Sequence, residues 1–161
     1  VYNETGSGFG SDNIEENLRK YGRLYNFYAV IDSRGLCPQG WHVSTIADWE
    51  ELERFIGMKC GEEQTTGWRG TNEGSLLKAS FNDSTSWNGE NTFGFTALSG
   101  SRRDAIVGAF QSETIGAFWC WAPNTFSSSN SRTLDVNLET IAAPTSPTLA
   151  TEGRSVRCVM D

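Results

Sequence analysis

An α+β fold is what this 161-residue sequence predicts, and three features carry that reading. Ile46, Trp49, Leu52, Phe55 and Ile56 recur at helical spacing, the stripe of an amphipathic helix. Leu134, Val136 and Leu138 alternate with polar residues, the period of two expected of a half-buried strand. Helical patterns fill the first half and strand patterns the second, the segregated order of an α+β chain. The length corresponds to one compact domain with a core of its own, so residues 1–161 are expected to form a single unit.

Taken in order, residues 1–12 hold Gly6, Gly8 and Gly10 without periodicity and predict an irregular lead-in. A short helix is expected over Ile14–Lys20. The spacing of Leu24, Phe27 and Tyr28 predicts a further helix across Tyr21–Val30. Arg34–Gly40 has the Gly and Pro content of a loop, from which Trp41–Val43 should lead directly into the best-marked helix. Thr45 with Asp48 three residues on forms a capping box, and Gly57 supplies a stop. From Gly61 to Asn91, single aromatics are set among polar residues, which predicts one long anchored loop. Strands are expected at Phe93–Leu98, Ala117–Trp121, Arg132–Leu138 and Ser155–Val159. Thr140–Thr151, with Pro144, Pro147 and many small residues, should be an exposed loop.

Composition narrows the function classes. Apolar residues make up 37% of the chain, with six Trp and nine Phe, enough for a dense core. A net charge of −7, with Lys and Arg scattered, argues against nucleic acid as a partner; Arg102-Arg103 reads as a solvated loop. No stretch is long and apolar enough to insert into a membrane. The chain begins at Val1, so a signal or lipid anchor upstream is an open expectation.

Cys37, Cys60, Cys120 and Cys158 match no zinc or redox spacing, so disulfides are favoured over metal. Cys37 in a turn and Cys158 in a terminal strand would close almost the whole chain if bridged, and this pair is expected. Cys60 and Cys120 either form a second bridge or remain thiols. Any bridge implies an oxidising compartment.

Four segments together resemble the Fibrobacter succinogenes major paralogous domain, found in secreted and surface proteins of Bacteroidetes-like bacteria. They are Tyr21-Gly-Arg-Leu-Tyr-Asn-Phe-Tyr-Ala-Val30; Gly35-Leu-Cys-Pro-Gln-Gly-Trp-His-Val43 with Ala47-Asp-Trp-Glu-Glu-Leu52; Gly94-Phe-Thr-Ala-Leu-Ser-Gly100; and Ser155-Val-Arg-Cys-Val159. The resemblance implies a C-type-lectin-like fold, with two helices packed on a twisted antiparallel sheet, long loops and termini that meet. His42–Glu50 is similar to the helix entry of formylglycine-generating enzyme relatives. The stretches Trp121–Asn130 and Ala142–Thr151 depart from the family pattern. Conserved scaffold with a divergent surface resembles the variable proteins of diversity-generating retroelements, which display a hypervariable C-terminal face.

Candidate chemistry is sparse. Calcium-dependent sugar binding needs a cluster of oxygen ligands. The Glu-Pro-Asn and Trp-Asn-Asp triplets common in lectins of this fold are replaced by Ala122-Pro123-Asn124 and Trp87-Asn88-Gly89, each without its acid. Neither metal nor cofactor is expected. No close cysteine pair exists, Cys120 has no neighbouring base to activate it, and His42 beside Trp41 reads as packed scaffold, so an enzyme is not expected.

The favoured reading is a secreted or surface-displayed module that contacts a protein or glycan. Asn124, Phe126, Asn130, Arg132, Thr133, Asp135 and Asn137 are the candidate contacts, with Leu134, Val136 and Leu138 turned inward. The alternative is a structural or assembly domain of a larger secreted protein.

Overall fold

The computed structural model describes residues 14–82, 87–111, 114–122, 130–146 and 148–161. The expected lead-in therefore lies outside the described residues, as do Asn124 and Phe126. Four helices and two antiparallel sheets make up the described chain, the α+β class predicted.

Helix α1, Ile14–Tyr21, has Glu15 and Glu16 in its first turn and Arg19 and Lys20 in its last, the arrangement that complements the helix dipole. The continuous helix expected over Tyr21–Val30 does not form. Gly22 adopts φ 77°, its N–H closing back on the Leu18 carbonyl, and this left-handed turn ends α1. Tyr25 then pairs with Arg154. Asn26 starts α2, Phe27–Val30, by accepting the Ala29 N–H at 3.0 Å.

Trp41–Val43 forms strand β1, which leads into the helix capped by Thr45 as expected. The strand pairs antiparallel with β6, Cys158–Met160, so the early and last parts of the described chain meet in a two-stranded sheet. Val43 faces Cys158 in register, and the expected Cys37–Cys158 disulfide anchors this sheet across 121 residues. Cys60 and Cys120 are unpaired, one exposed and one buried.

Helix α3, Ile46–Phe55, carries the predicted capping box: the Thr45 hydroxyl accepts the Asp48 N–H at 3.2 Å, and the Asp48 carboxylate accepts the Thr45 N–H at 2.7 Å. Trp49 and Ile56 enter the core with Leu52 and Ile46 beside them. Phe55, expected in the same stripe, stays 73% exposed because it lies on the flank of the buried face.

The segment Gly61–Asn91 is more ordered than predicted. It contains a 3₁₀ turn at Glu62–Gln64, strand β2 at Gly67–Arg69 and helix α4 at Glu73–Leu77. These elements are too short to show periodicity and are held by distant backbone. At Gly74, α4 approaches the 139–140 backbone so closely that a β-carbon would lie 2.7 Å from the Glu139 carbonyl oxygen.

The larger sheet has the order β2–β5–β4–β3, with β3 at Ile115–Trp119, β4 at Ser131–Asp135 and β5 at Ile141–Ala143. No strand forms over Phe93–Leu98. Asn91 and Thr96 both take φ 51°, and the Asn91 side chain binds the Thr96 N–H at 2.7 Å and hydroxyl at 2.9 Å, curling the segment into a loop. Strand β4 stops at Asp135 instead of continuing to Leu138. The buried Lys78 ammonium donates to the Asp135 and Leu138 carbonyls at 3.0 and 2.9 Å, locking a turn there and leaving Leu138 at the surface. The loop expected over Thr140–Thr151 contains β5, whose Ile141 is fully buried, and Thr148 is buried too. Of the expected strand Ser155–Val159, Ser155 instead runs parallel beside Phe118, and β6 begins at Cys158.

The main core lies between α3 and the inner face of the larger sheet, where Trp49, Leu77, Phe118, Cys120, Leu134 and Ile141 meet. A second cluster of Phe27, Val30, Val43 and Trp119 packs under α2 and β1.

Candidate functional site

Alternation across the larger sheet divides its residues between two faces. Arg69, Arg132, Leu134 and Ile141 point into the core, where the two guanidiniums grip one carboxylate from α3. Arg69 Nη2 lies 2.8 Å from both Glu53 oxygens and Arg132 Nε lies 2.7 Å from Oε1. Glu53 has no exposed surface and Arg132 only 4%. Arg132 was expected among the outward contacts; the structure corrects this, since it shares the face of Leu134 two residues on and serves to clamp α3. Burial pushes the Arg69 guanidinium below its ordinary value, with the Arg132 charge acting in the same direction.

On the outer face, Trp68, Ala142 and Thr133 form a row in register across β2, β5 and β4. Because Ala142 is small, the middle of the row is low and a cleft opens there. Its volume is about 350 Å³, within the roughly 300–1,000 Å³ range of small-molecule sites. Trp68, 47% exposed, forms one wall. The Pro144–Ser146 turn after β5 and Thr148 form another, and Arg102, Glu152 and Arg154 complete the lining.

Backbone pairing brings the two cleft arginines together. Arg103 and Gly153 exchange both backbone hydrogen bonds at 2.9 Å, and Arg154 exchanges a pair with Tyr25. The Arg102 guanidinium, half-buried in the segment expected as a solvated loop, is fixed by Gln111 Oε1, which accepts from Nε at 3.0 Å and Nη2 at 2.9 Å. Arg154 is 3% exposed, lies 5.4 Å from the Trp119 ring and donates to Glu152 Oε2 at 2.8 Å through Nη2. Its Nε and Nη1 have no hydrogen-bond partner. Burial lowers its pKa from the ordinary guanidinium value, Glu152 opposes this, and Arg102 adds to it. A guanidinium nonetheless stays protonated, so the lining holds two cations against one anion in a chain of net charge −7.

The other outward candidates surround this cleft unevenly. Thr133 lines it. Asn130 is half-buried, its carbonyl accepting the Cys120 N–H at 3.0 Å. Asp135 accepts the Asn137 N–H at 2.8 Å and so shapes the end of β4, while Asn137 is exposed in the turn. Neither Asp135 nor Asn137 lines the cleft. Trp68, Arg102, Glu152 and Arg154 were missed. The only sequence signal was Trp68 isolated between Gly67 and Gly70, with Arg154 just after a glycine.

A second, more apolar groove of about 650 Å³ runs between α3 and the 93–95 loop, with Phe55 and Phe93 edge to face at 5.6 Å. Of the lectin-like triplets, Ala122-Pro123-Asn124 falls mainly outside the described residues. Trp87 of the other triplet is buried in the core, and Gly89 lies tight against the Lys78 backbone, so this stretch is scaffold. Among the described residues no group of three or more His, Cys, Asp or Glu side chains converges, and no helix is long and apolar enough to cross a membrane. Cys120 is fully buried and its thiol is pushed up to about 12, which keeps it protonated at neutral pH. His42 bridges two carboxylates, Asp161 at 2.8 Å and Asp48 at 3.1 Å, tying the end of β6 to the start of α3.

The fold and the cleft define an α+β protein with a polar, cation-bearing recess on the outer side of its larger sheet. The family model of the Fibrobacter succinogenes major domain matches residues 1–160, and the chain belongs to that family. No curated protein and no solved structure matches it significantly.

Proposed function

We propose that this chain is an extracellular binding module that contacts glycans through the cleft on the outer face of the larger sheet. The observation that carries the reading is the row Trp68–Ala142–Thr133, an exposed indole beside a low floor with hydroxyls around it. One face of a pyranose ring is lined with C–H groups, which pack against the electron-rich face of an indole. Its hydroxyls need donors and acceptors at the rim, and Thr133, Ser146 and Glu152 supply them.

The Cys37–Cys158 bridge is compatible with an oxidising, extracellular setting. Pairing of β1 with β6 and the long connections between short strands support a C-type-lectin-like assignment of the fold. A retroelement-diversified face is the finer form of the same proposal: sibling sequences would then vary around Thr133 and 144–146 while Arg132, Leu134 and Cys158 stay fixed.

Capture of the protein on a glycan array tests the reading. Trp68 packs into neither core cluster, so Trp68→Ala should leave the melting temperature within a few degrees of wild type. It should weaken capture by about thirty-fold, the effect of losing an aromatic anchor worth ~2 kcal/mol. Undiminished capture by this variant would remove the cleft from the proposal, and an inert assembly domain predicts no glycan capture at all.

A further inference from the structure

Buried donors in folded proteins are almost always paired, and an unpaired one on a cation is costly unless something else supplies the acceptor. Arg154 breaks this rule at the cleft. Of its three guanidinium nitrogens only Nη2 has a partner, Glu152, while Nε and Nη1 have none. Arg69 also leaves Nε unpaired, but its charge is met by Glu53 on both oxygens deep in the core. At the cleft a second guanidinium stands nearby, since Arg102 also contributes to the lining and is held in place by Gln111 rather than by a carboxylate. In the recess two like charges stand beside one acid, with Asp104 outside the lining yet near enough to feel the Arg102 charge, and low dielectric there strengthens the pull on an anion.

We infer that the cleft selects acidic sugars, with a carboxylate on the glycan held by Arg154 and Arg102 while the sugar ring rests against Trp68. This rests on the glycan-binding reading and adds the ligand class. A carboxylate has two oxygens in one plane and suits a guanidinium with free N–H groups better than any hydroxyl does. Glu152 already shows the geometry from within the chain at one nitrogen. Neutral sugars would fit the hydroxyl rim yet leave two guanidiniums facing only Glu152 in the recess, so preference for acid is a difference in charge rather than in shape.

The test is capture of the disulfide-bonded protein by immobilised glycans that carry hexuronic or sialic acid, alongside their methyl esters and neutral counterparts. Wild type should prefer the free acids by about tenfold or more over the esters. Because Arg154 is buried and its removal risks the fold, Arg102→Gln at the half-exposed position serves as the second variant, with melting curves for both. Arg154→Gln and Arg102→Gln should each erase most of the preference while neutral-glycan capture persists, and Trp68→Ala should weaken capture of every glycan. Equal capture of acids, esters and neutral glycans, unaltered in the arginine variants, would overturn the acid-specific inference and leave the glycan reading standing. Capture of no glycan, or of acidic peptides alone, would overturn both.

Discussion

At the scale of single residues, the sole histidine is a brace between carboxylates. Asp161 first, then Asp48, raise the His42 pKa above its ordinary 6.5, with burial opposing weakly. A histidine whose pKa is raised by folding stabilises the fold fully below the unfolded value, and that contribution disappears as pH climbs through the folded value. Asp48 works in the opposite sense. Burial raises its pKa, but the Thr45 hydroxyl and N–H and then His42 outweigh burial and hold it below 3.8. Its contribution is present above that ordinary value and is lost as pH falls through the lowered one. Melting temperature should therefore fall as pH rises from the acid side of 6.5 into the mildly alkaline range. His42→Asn should flatten that limb and, because His42 also helps lower the Asp48 pKa, reduce the acid limb in part while the Thr45 bonds keep the rest; an unaltered alkaline limb in the variant would contradict the brace.

At the scale of elements, the clamp on α3 is the strongest unforeseen feature. Two arginines from β2 and β4 converge on Glu53, which a helical wheel places beside the apolar stripe with no hint of its partners. Removing one member of such a cluster strands buried charge, so Glu53→Gln should lower unfolding free energy by about 3–5 kcal/mol in denaturant titration. A loss under about 1 kcal/mol would mean that water reaches the cluster.

What was legible at this scale follows from the range of the interactions. The capping box of α3 and the inward direction of Leu134 depend on neighbours three or two residues away, and both were readable. The Cys37–Cys158 pair was accessible from its position in a turn and a terminal strand. Strand β5 and helix α4 depend on contacts across the fold, as Ser75 donating to Glu139 shows, and three to five residues carry no usable period. The spacing of Leu24, Phe27 and Tyr28 predicts one helix across Tyr21–Val30 because the left-handed turn at Gly22 leaves no mark on the apolar pattern. The limits of β4 were misjudged for a similar reason, since the turn at Asp135 is tied by Lys78, more than fifty residues earlier. Arg132 is the instructive case at the candidate site. It was expected among the outward contacts although alternation sets it on the side of Leu134, and Glu53 is the partner that holds its charge there.

At the scale of the whole molecule, two sheets divide the work. The small β1–β6 sheet, with its disulfide and the His42 brace, joins the early and last parts of the described chain. The larger sheet buries one face against α3 and leaves the other partly open. Thr133 and the 142–146 segment were foreseen as part of an outward face. The cation pair was not, because Arg102 and Arg154 are 52 positions apart and meet through the pairing of Arg103 with Gly153.

The central claim is that this outer cleft receives a ligand. Amide chemical-shift mapping during titration with a hexuronate oligosaccharide tests it most directly. The account predicts shifts at Trp68, Ser131–Thr133, Ala142–Ala143 and Glu152–Arg154, with α3 and the 93–95 loop unmoved. Shifts confined to the Phe55–Phe93 groove, or none at saturating sugar, would contradict it.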